Sequence, residues 1–131
     1  MKSIVLDTNA LLRFLLKDNP AQSKIVAETF EKAKKREIVV YLLSAVIIEA
    51  VYVLEKNYTF PRSDVRDILE GILKVSYIEI EHRNILGISL NLYHNTRSSF
   101  IDIFIFQYSK QYNFALLTFD KKLKNLSKIP V

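Results

Sequence analysis

The chain has 131 residues, half of them hydrophobic and a quarter charged, which is typical of one folded domain and excludes a disordered segment. It contains no cysteine, so disulfides, thiolate metal sites and cysteine nucleophiles are excluded. With 19 basic and 14 acidic side chains the net charge is +5, a modest bias toward anionic partners.

The chain carries no pattern for export or membrane insertion. The apolar run before Asp7 is short and no small-residue cleavage pattern follows it. The longest apolar stretch, Ile38 to Leu54, is interrupted by Ser44 and Glu49 and is shorter than the roughly 20 residues that span a bilayer. We therefore expect a cytoplasmic protein without membrane contact.

Short apolar runs alternate with helical patterns from the start of the chain. A buried strand, Ser3 to Leu6, ends at Asp7, and a helix follows from Ala10 to about Lys17. The break Asp18-Asn19-Pro20 leads into a second helix that runs to Arg36.

The central part of the chain repeats this alternation. Ile38 to Leu42 is the second predicted strand, and Ser44 caps a helix to about Asn57 that is apolar nearly all round and therefore predicted to be internal. An amphipathic helix from Arg62 or Ser63 to about Leu73 precedes a third strand, Val75 to Ile80.

The remaining predicted elements complete one α/β domain over residues 1–131. They are a helix from Arg83 to about His94, a helix from Phe100 to Tyr112, a fourth strand from Ala115 to Thr118 and a short helix from Asp120 to Asn125. Strands separated by helices predict a three-layer fold, in which a central parallel sheet of four to five strands is flanked by helices on both faces.

Connectivity places four acidic residues at one edge of that sheet. Asp7 ends the first strand, and Asp120 lies two residues past the fourth. Glu49 lies in the second turn of the helix after the second strand. Asp102 lies in the first turn of the helix before the fourth strand, and that helix must start at the same, carboxyl edge.

Each acid also has a structural explanation. Asp7 and Asp120 precede helices and can cap them, and Asp102 follows Ser99 at nearly the spacing of a capping box. Glu49 is harder to explain in this way, because its helix shows no polar face and a lone buried carboxylate is costly.

Together the four acids predict a metal site. Converging carboxylates repel one another unless a cation neutralises them, and no lysine or arginine adjoins Glu49 in the sequence. Oxygen ligands without cysteine or clustered histidine favour Mg²⁺ or Mn²⁺. Such a site can activate water and orient a phosphodiester, which leads to a nuclease hypothesis.

The motifs that carry these acids resemble, in order, those of the PIN-domain family, and the first is similar to that of VapC-type toxins. They are Asp7-Thr8-Asn9 followed by Leu11, Arg13, Asp18, Pro20 and Gln22, then Ile48-Glu49, then Phe100-Ile101-Asp102, then Leu117-Thr118-Phe119-Asp120. The resemblance covers nearly the whole chain.

The resemblance implies a metal-dependent ribonuclease that leaves a 3′-hydroxyl and a 5′-phosphate, is often a homodimer and is inhibited by a small antitoxin protein. Asp7, Glu49, Asp102 and Asp120 would bind the metal, while Asn9 and Thr118 would orient ligands or water. The chain departs from the family pattern in two places. Ser99 stands where many relatives have a further acid, and Ile103 stands where a small residue is usual.

Other interpretations remain open from sequence alone. One is a PIN-domain nuclease with a housekeeping role in RNA processing, and another is a PIN-like or phospho-receiver-type module that only binds. A receiver would need a lysine closing a late strand, which the chain lacks. Both histidines are interpreted as surface residues. The candidate phosphate contacts, for which solvated surface charge is the alternative, are Arg13, Lys17, Arg97, Lys121 and Lys122.

Overall fold

The computed structural model describes residues 1–126, so residues 127–131 of the predicted domain lie outside the described range. Its elements follow in the order β1 (Lys2–Val5), α1 (Thr8–Leu16), α2 (Pro20–Lys34), β2 (Ile38–Leu42), α3 (Ser44–Lys56), α4 (Arg62–Leu73), β3 (Glu79–Ile80), α5 (Arg83–Asn95), α6 (Phe100–Gln111) and α7 (Lys121–Asn125). The alternation of strands and helices confirms the predicted α/β class.

The sheet is parallel, with β2 between β1 and β3. Val5 lies opposite Tyr41, and the Leu6 amide donates to the Tyr41 carbonyl at 3.1 Å. Parallel strands end at the same edge, so Asp7 and Leu43 leave the sheet side by side, directly before α1 and α3.

Among residues 1–126 the sheet has three strands, so the predicted four or five are not confirmed. The predicted third strand, 75–80, is wrong over most of its length, because only Glu79 and Ile80 pair with β2. The reason is the Arg83 guanidinium, which donates to the carbonyls of Leu73, Val75 and Ile78 and holds this segment in turns.

The predicted fourth strand, 115–118, is wrong in the same sense. Residues 114–120 form neither strand nor helix, although exposure alternates along them as in a strand. Leu116 and Thr118 are half-buried, whereas Leu117 and Phe119 are 84% and 89% exposed. Alternation predicts which side chains face inward but not whether a neighbouring strand is there to pair with.

Helix α3 is central to the packing of the helices. It contacts α1, α4 and α6, and its inner face, which includes Ile47, Val51 and Leu54, is fully buried in the core. Leu43 holds the N-cap position without a side-chain bond, so Ser44 is not the predicted cap. Instead the Glu81 carboxylate, just past β3, accepts from the Ser44 amide at 2.9 Å.

Within residues 1–126, no helix has both the length and the apolar character needed to cross a membrane.

Candidate active site

An open cavity of about 760 Å³ contains three of the four predicted acids. Glu49 reaches it from α3, Asp102 from α6 and Asp120 from the start of α7. Because α6 packs against both α3 and α7, residues far apart in sequence line one space.

Glu49 is exposed, which corrects the prediction that its helix is internal on every face. Its neighbours along the helix surface, Ala45, Tyr52 and Lys56, are exposed with it and also line the cavity. This stripe borders open space, so Glu49 is in contact with water and the argument from costly burial does not apply.

Asp102 occupies the first turn of α6 and is half-buried. The Ser99 hydroxyl accepts from the Asp102 amide at 3.3 Å, so the predicted N-cap is present. The cap uses the Asp102 backbone and leaves its carboxylate without a hydrogen bond among the described residues. The carboxylate is therefore available to a ligand in the cavity.

Asp120 is the N-cap of α7, with its Oδ1 accepting from the Lys122 amide at 2.8 Å. Thr118 does not line the cavity with the acids. Its hydroxyl accepts from the Asp120 amide at 3.1 Å, so it orients the backbone at Asp120. The prediction that Thr118 orients a metal ligand stays a prediction, and this contact is consistent with it.

Asp7 and Asn9 do not line this cavity. Asp7 is the N-cap of α1, and its Oδ1 accepts from the Ala10 amide at 2.8 Å, while Asn9 is exposed on the first turn of that helix. The structure thus gives three of the predicted acids a common cavity. It leaves Asp7 at the same sheet edge but outside the cavity lining.

The three predicted acids in the cavity, whose lining has no thiol or imidazole, are chemically suited to a hard divalent cation such as Mg²⁺. The fourth carboxylate of the lining, Glu55, pairs with Arg62. In the arrangement of residues 1–126, no three histidine, cysteine, aspartate or glutamate side chains converge closely enough to hold an ion. The residues therefore fit such an ion by chemistry, and their assembly around it remains a prediction.

Positive charge lines the same cavity. Among the predicted phosphate contacts, Arg97 and Lys122 lie there, and neither has an ion pair within the described chain. Lys17 and Lys121 do not line the cavity. Arg13 is committed elsewhere, because its guanidinium pairs with Asp18, and this hydrogen bond holds the pKa of the Asp18 carboxyl below its ordinary value.

Sequence reasoning missed Arg62, whose guanidinium bonds to the chain between the end of α5 and the start of α6. It pairs with Glu55 at 2.9 Å and donates to the carbonyls of Tyr93, Thr96 and Ser98 at 3.1, 3.1 and 2.6 Å. Its carbon also lies 4.3 Å from the Tyr93 ring centroid. The only sequence signal was the position of Arg62 directly after Pro61, which marks a helix start and gives no hint of partners thirty residues away.

The histidines also differ from their prediction as surface residues. Both are half-buried, and His82 packs edge-on against Phe104 and Tyr108, at centroid distances of 6.2 and 5.3 Å. Neither lines the cavity that holds the acids.

Comparison with known proteins agrees with the motif order. The PIN domain family model matches residues 4–129. A VapC ribonuclease from Aquifex aeolicus (strain VF5) is 29% identical over 98 residues, which cover 75% of this chain and 72% of the relative. No solved structure matches the chain significantly. Because the family model spans nearly its whole length, the chain belongs to the PIN domain family.

Proposed function

We propose that this PIN domain is a Mg²⁺-dependent endoribonuclease, with Mn²⁺ as an alternative ion, and that it acts as the toxin of a type II toxin–antitoxin pair. The observation that carries the proposal is the cavity shared by Glu49, Asp102 and Asp120. The similarity to a VapC ribonuclease supports RNA as the substrate. The proposal includes a cytoplasmic location, a homodimer and a small antitoxin partner.

In this proposal Glu49, Asp102, Asp120 and Asp7 hold the metal. These carboxylates would hold the ion, which when bound would supply an activated water and charge stabilisation at the leaving oxygen. Asn9 and Thr118 keep the carboxylates in position.

Arg97 and Lys122 bind the phosphates of the RNA backbone and fix its path across the cavity. Because the acids come from separate elements, the relative positions of α3, α6 and α7 set the geometry in which the RNA is held.

The assay is cleavage of structured and single-stranded RNAs by the wild type and by Asp102→Asn, with Mg²⁺ and with a chelator. Asp102→Asn keeps the shape of the side chain and the Ser99 cap, because the cap uses the backbone amide. Cleavage should require both Mg²⁺ and Asp102, and the products should carry 5′-phosphates. Equal cleavage by the variant, or cleavage that survives chelation, contradicts the proposal.

A small inhibitory protein partner would distinguish the toxin role from a housekeeping role in RNA processing. A toxin should co-purify with a small protein encoded beside it, and that protein should inhibit cleavage. An enzyme that cleaves RNA but is insensitive to any adjacent small protein supports the housekeeping role instead. Sedimentation of the purified chain tests the homodimer.

A further inference from the structure

The wall of the cavity beside the acids is hydrophobic and exposed. Tyr52 is three residues after Glu49 on α3, is 62% exposed and lines the same cavity. Residues three apart on a helix lie side by side, with Cβ atoms about 5–6 Å apart. Tyr52 and Glu49 therefore occupy neighbouring positions on the α3 wall of the cavity.

The α6 wall of the cavity also carries an acid and an apolar side chain. Ile101 directly precedes Asp102 on α6, is 42% exposed and lines the cavity. Ile48, half-buried and next to Glu49, adds a further apolar surface. The cavity thus offers an aromatic face and an aliphatic face, each beside a carboxylate.

The charges at the rim indicate which ligand fits these faces. The side chains of Arg97 and Lys122 line the cavity, and neither side chain makes an ion pair or hydrogen bond within residues 1–126. A ligand that meets a flat apolar ring and two free cations at once needs a planar apolar group linked to anionic groups. A nucleotide of single-stranded RNA has this chemistry, whereas the bases of duplex RNA are stacked on one another and do not present their faces.

We propose that Tyr52 stacks on the nucleobase next to the cleaved phosphodiester, with Ile101 facing that base and Arg97 and Lys122 contacting the neighbouring phosphates. This subsite makes single-stranded RNA the substrate, and the proposal rests on the proposed function. The stacked base fixes the RNA beside the carboxylates without selecting one sequence, because every base presents an aromatic face.

The test is RNA binding by Tyr52 variants, measured by quenching of 2-aminopurine in a single-stranded ten-nucleotide RNA with Ca²⁺ in place of Mg²⁺. Tyr52→Leu removes the ring and keeps apolar volume, and Tyr52→Phe keeps the ring. Because a stacked base contributes substantially to binding, Tyr52→Leu should raise Kd about tenfold and reduce quenching, while Tyr52→Phe should stay within about twofold of the wild type.

The matched control is Tyr112→Leu, since Tyr112 is 45% exposed and lies outside this cavity. It should leave Kd unchanged. Thermal unfolding of every variant checks that the fold is intact, which we expect because Tyr52 is on the surface. A blunt-ended RNA duplex, which has no unpaired bases, should bind weakly and be insensitive to Tyr52.

Three results of the RNA-binding measurement overturn the proposal. They are an unchanged Kd for Tyr52→Leu, an equal loss of affinity for Tyr52→Leu and Tyr52→Phe, and an equal loss of affinity for Tyr52→Leu and the Tyr112→Leu control. Loss of binding to a co-purified protein with unchanged RNA affinity also overturns it and assigns Tyr52 to a protein contact. Binding is measured without hydrolysis, so a wild type that binds as expected but cleaves no RNA contradicts the proposed function and leaves the subsite standing.

Discussion

Asp7 is both the N-cap of α1 and a proposed metal ligand, and these roles can be separated. One carboxylate oxygen accepts from the Ala10 amide, and the other makes no hydrogen bond within the described chain. Asparagine caps helices as well as aspartate does but carries no charge. The substitution Asp7→Asn therefore keeps the cap and removes the charge that a cation needs.

We predict that Asp7→Asn leaves the free energy of unfolding unchanged and lowers RNA cleavage about 100-fold or more, as loss of a strong electrostatic contact in an active site does. Asp7→Ala loses both roles, so it should also destabilise the fold by about 1 kcal/mol. Denaturant unfolding and initial cleavage rates give the two numbers. An active Asp7→Asn enzyme would show that Asp7 is only a cap.

Tyr93 should make the free energy of unfolding fall at high pH. Burial, and secondly the negative charge of Glu55, raise the pKa of the Tyr93 phenol to about 12 from an ordinary value of 10.0. The folded state therefore binds the proton more tightly than the unfolded state. This contribution to stability is complete below pH 10 and is lost as the pH rises through 12.

The wild type should consequently lose about 2 kcal/mol more than Tyr93→Phe between pH 10 and 12, since phenylalanine cannot ionise. The measurement is urea unfolding of both proteins across this range. The subtraction removes the titration of the lysines and the other tyrosines. Parallel curves for the two proteins would show that Tyr93 ionises as easily in the folded chain as in the unfolded one.

At the scale of elements, the loop before α6 depends on α4. The Arg62 guanidinium donates to the Tyr93 carbonyl in the last turn of α5 and to the Thr96 and Ser98 carbonyls in the loop, so its loss removes a donor from each of these partly buried oxygens. We predict that Arg62→Ala lowers the free energy of unfolding by about 2–3 kcal/mol. Arg62→Lys should rescue little, because an ammonium lacks the planar fork that reaches several acceptors.

The matched control is Arg66→Ala, one turn later on α4. Within residues 1–126 the ion pairs of Arg66 are with acidic side chains on its own helix, Asp67 at 2.8 Å and Glu70 at 3.7 Å, so its removal should cost little. Hydrogen exchange of the amides in 96–99 provides a local readout. An Arg62→Ala protein with unchanged exchange in this loop would contradict the assigned role.

The sequence predicted elements best where the signal is local. The helix that begins at Pro20 and the cap at Ser99 were identified because proline and serine act on their own neighbours. Three features were not predicted, because each depends on residues from another element. They are the exposure of Glu49, the turns before Glu79 and the hydrogen bonds of Arg62 to the loop before α6. Three of the four acids predicted at one sheet edge line one cavity, although the fourth strand used to place Asp102 and Asp120 is not formed within residues 1–126.

At the scale of the whole molecule, the positive charge bears on RNA binding. The chain carries +5, and Arg97 and Lys122, the two cations proposed to contact phosphates, line the cavity without an ion pair in the described chain. For single strands, each phosphate contact contributes about 0.7 to the slope of log affinity against log salt. We predict a slope near −1.4 or steeper, reduced in magnitude by about 0.7 in Arg97→Ala.

Fluorescence anisotropy at several KCl concentrations measures this slope. Lys24→Ala is the control, because this substitution also removes one positive charge but does so on α2, outside the cavity. An equal change for both variants would mean that only net charge matters and that Arg97 makes no specific phosphate contact.

The central claim is that the acids of this cavity hold a divalent cation. Titration with Mn²⁺, followed by the electron paramagnetic resonance signal of the free ion, measures binding without any substrate. Because loss of even an outer partner of a metal ligand weakens binding by about 10- to 100-fold, Glu49→Gln should raise the Kd for Mn²⁺ at least about tenfold. The same affinity in the wild type and Glu49→Gln would contradict the account.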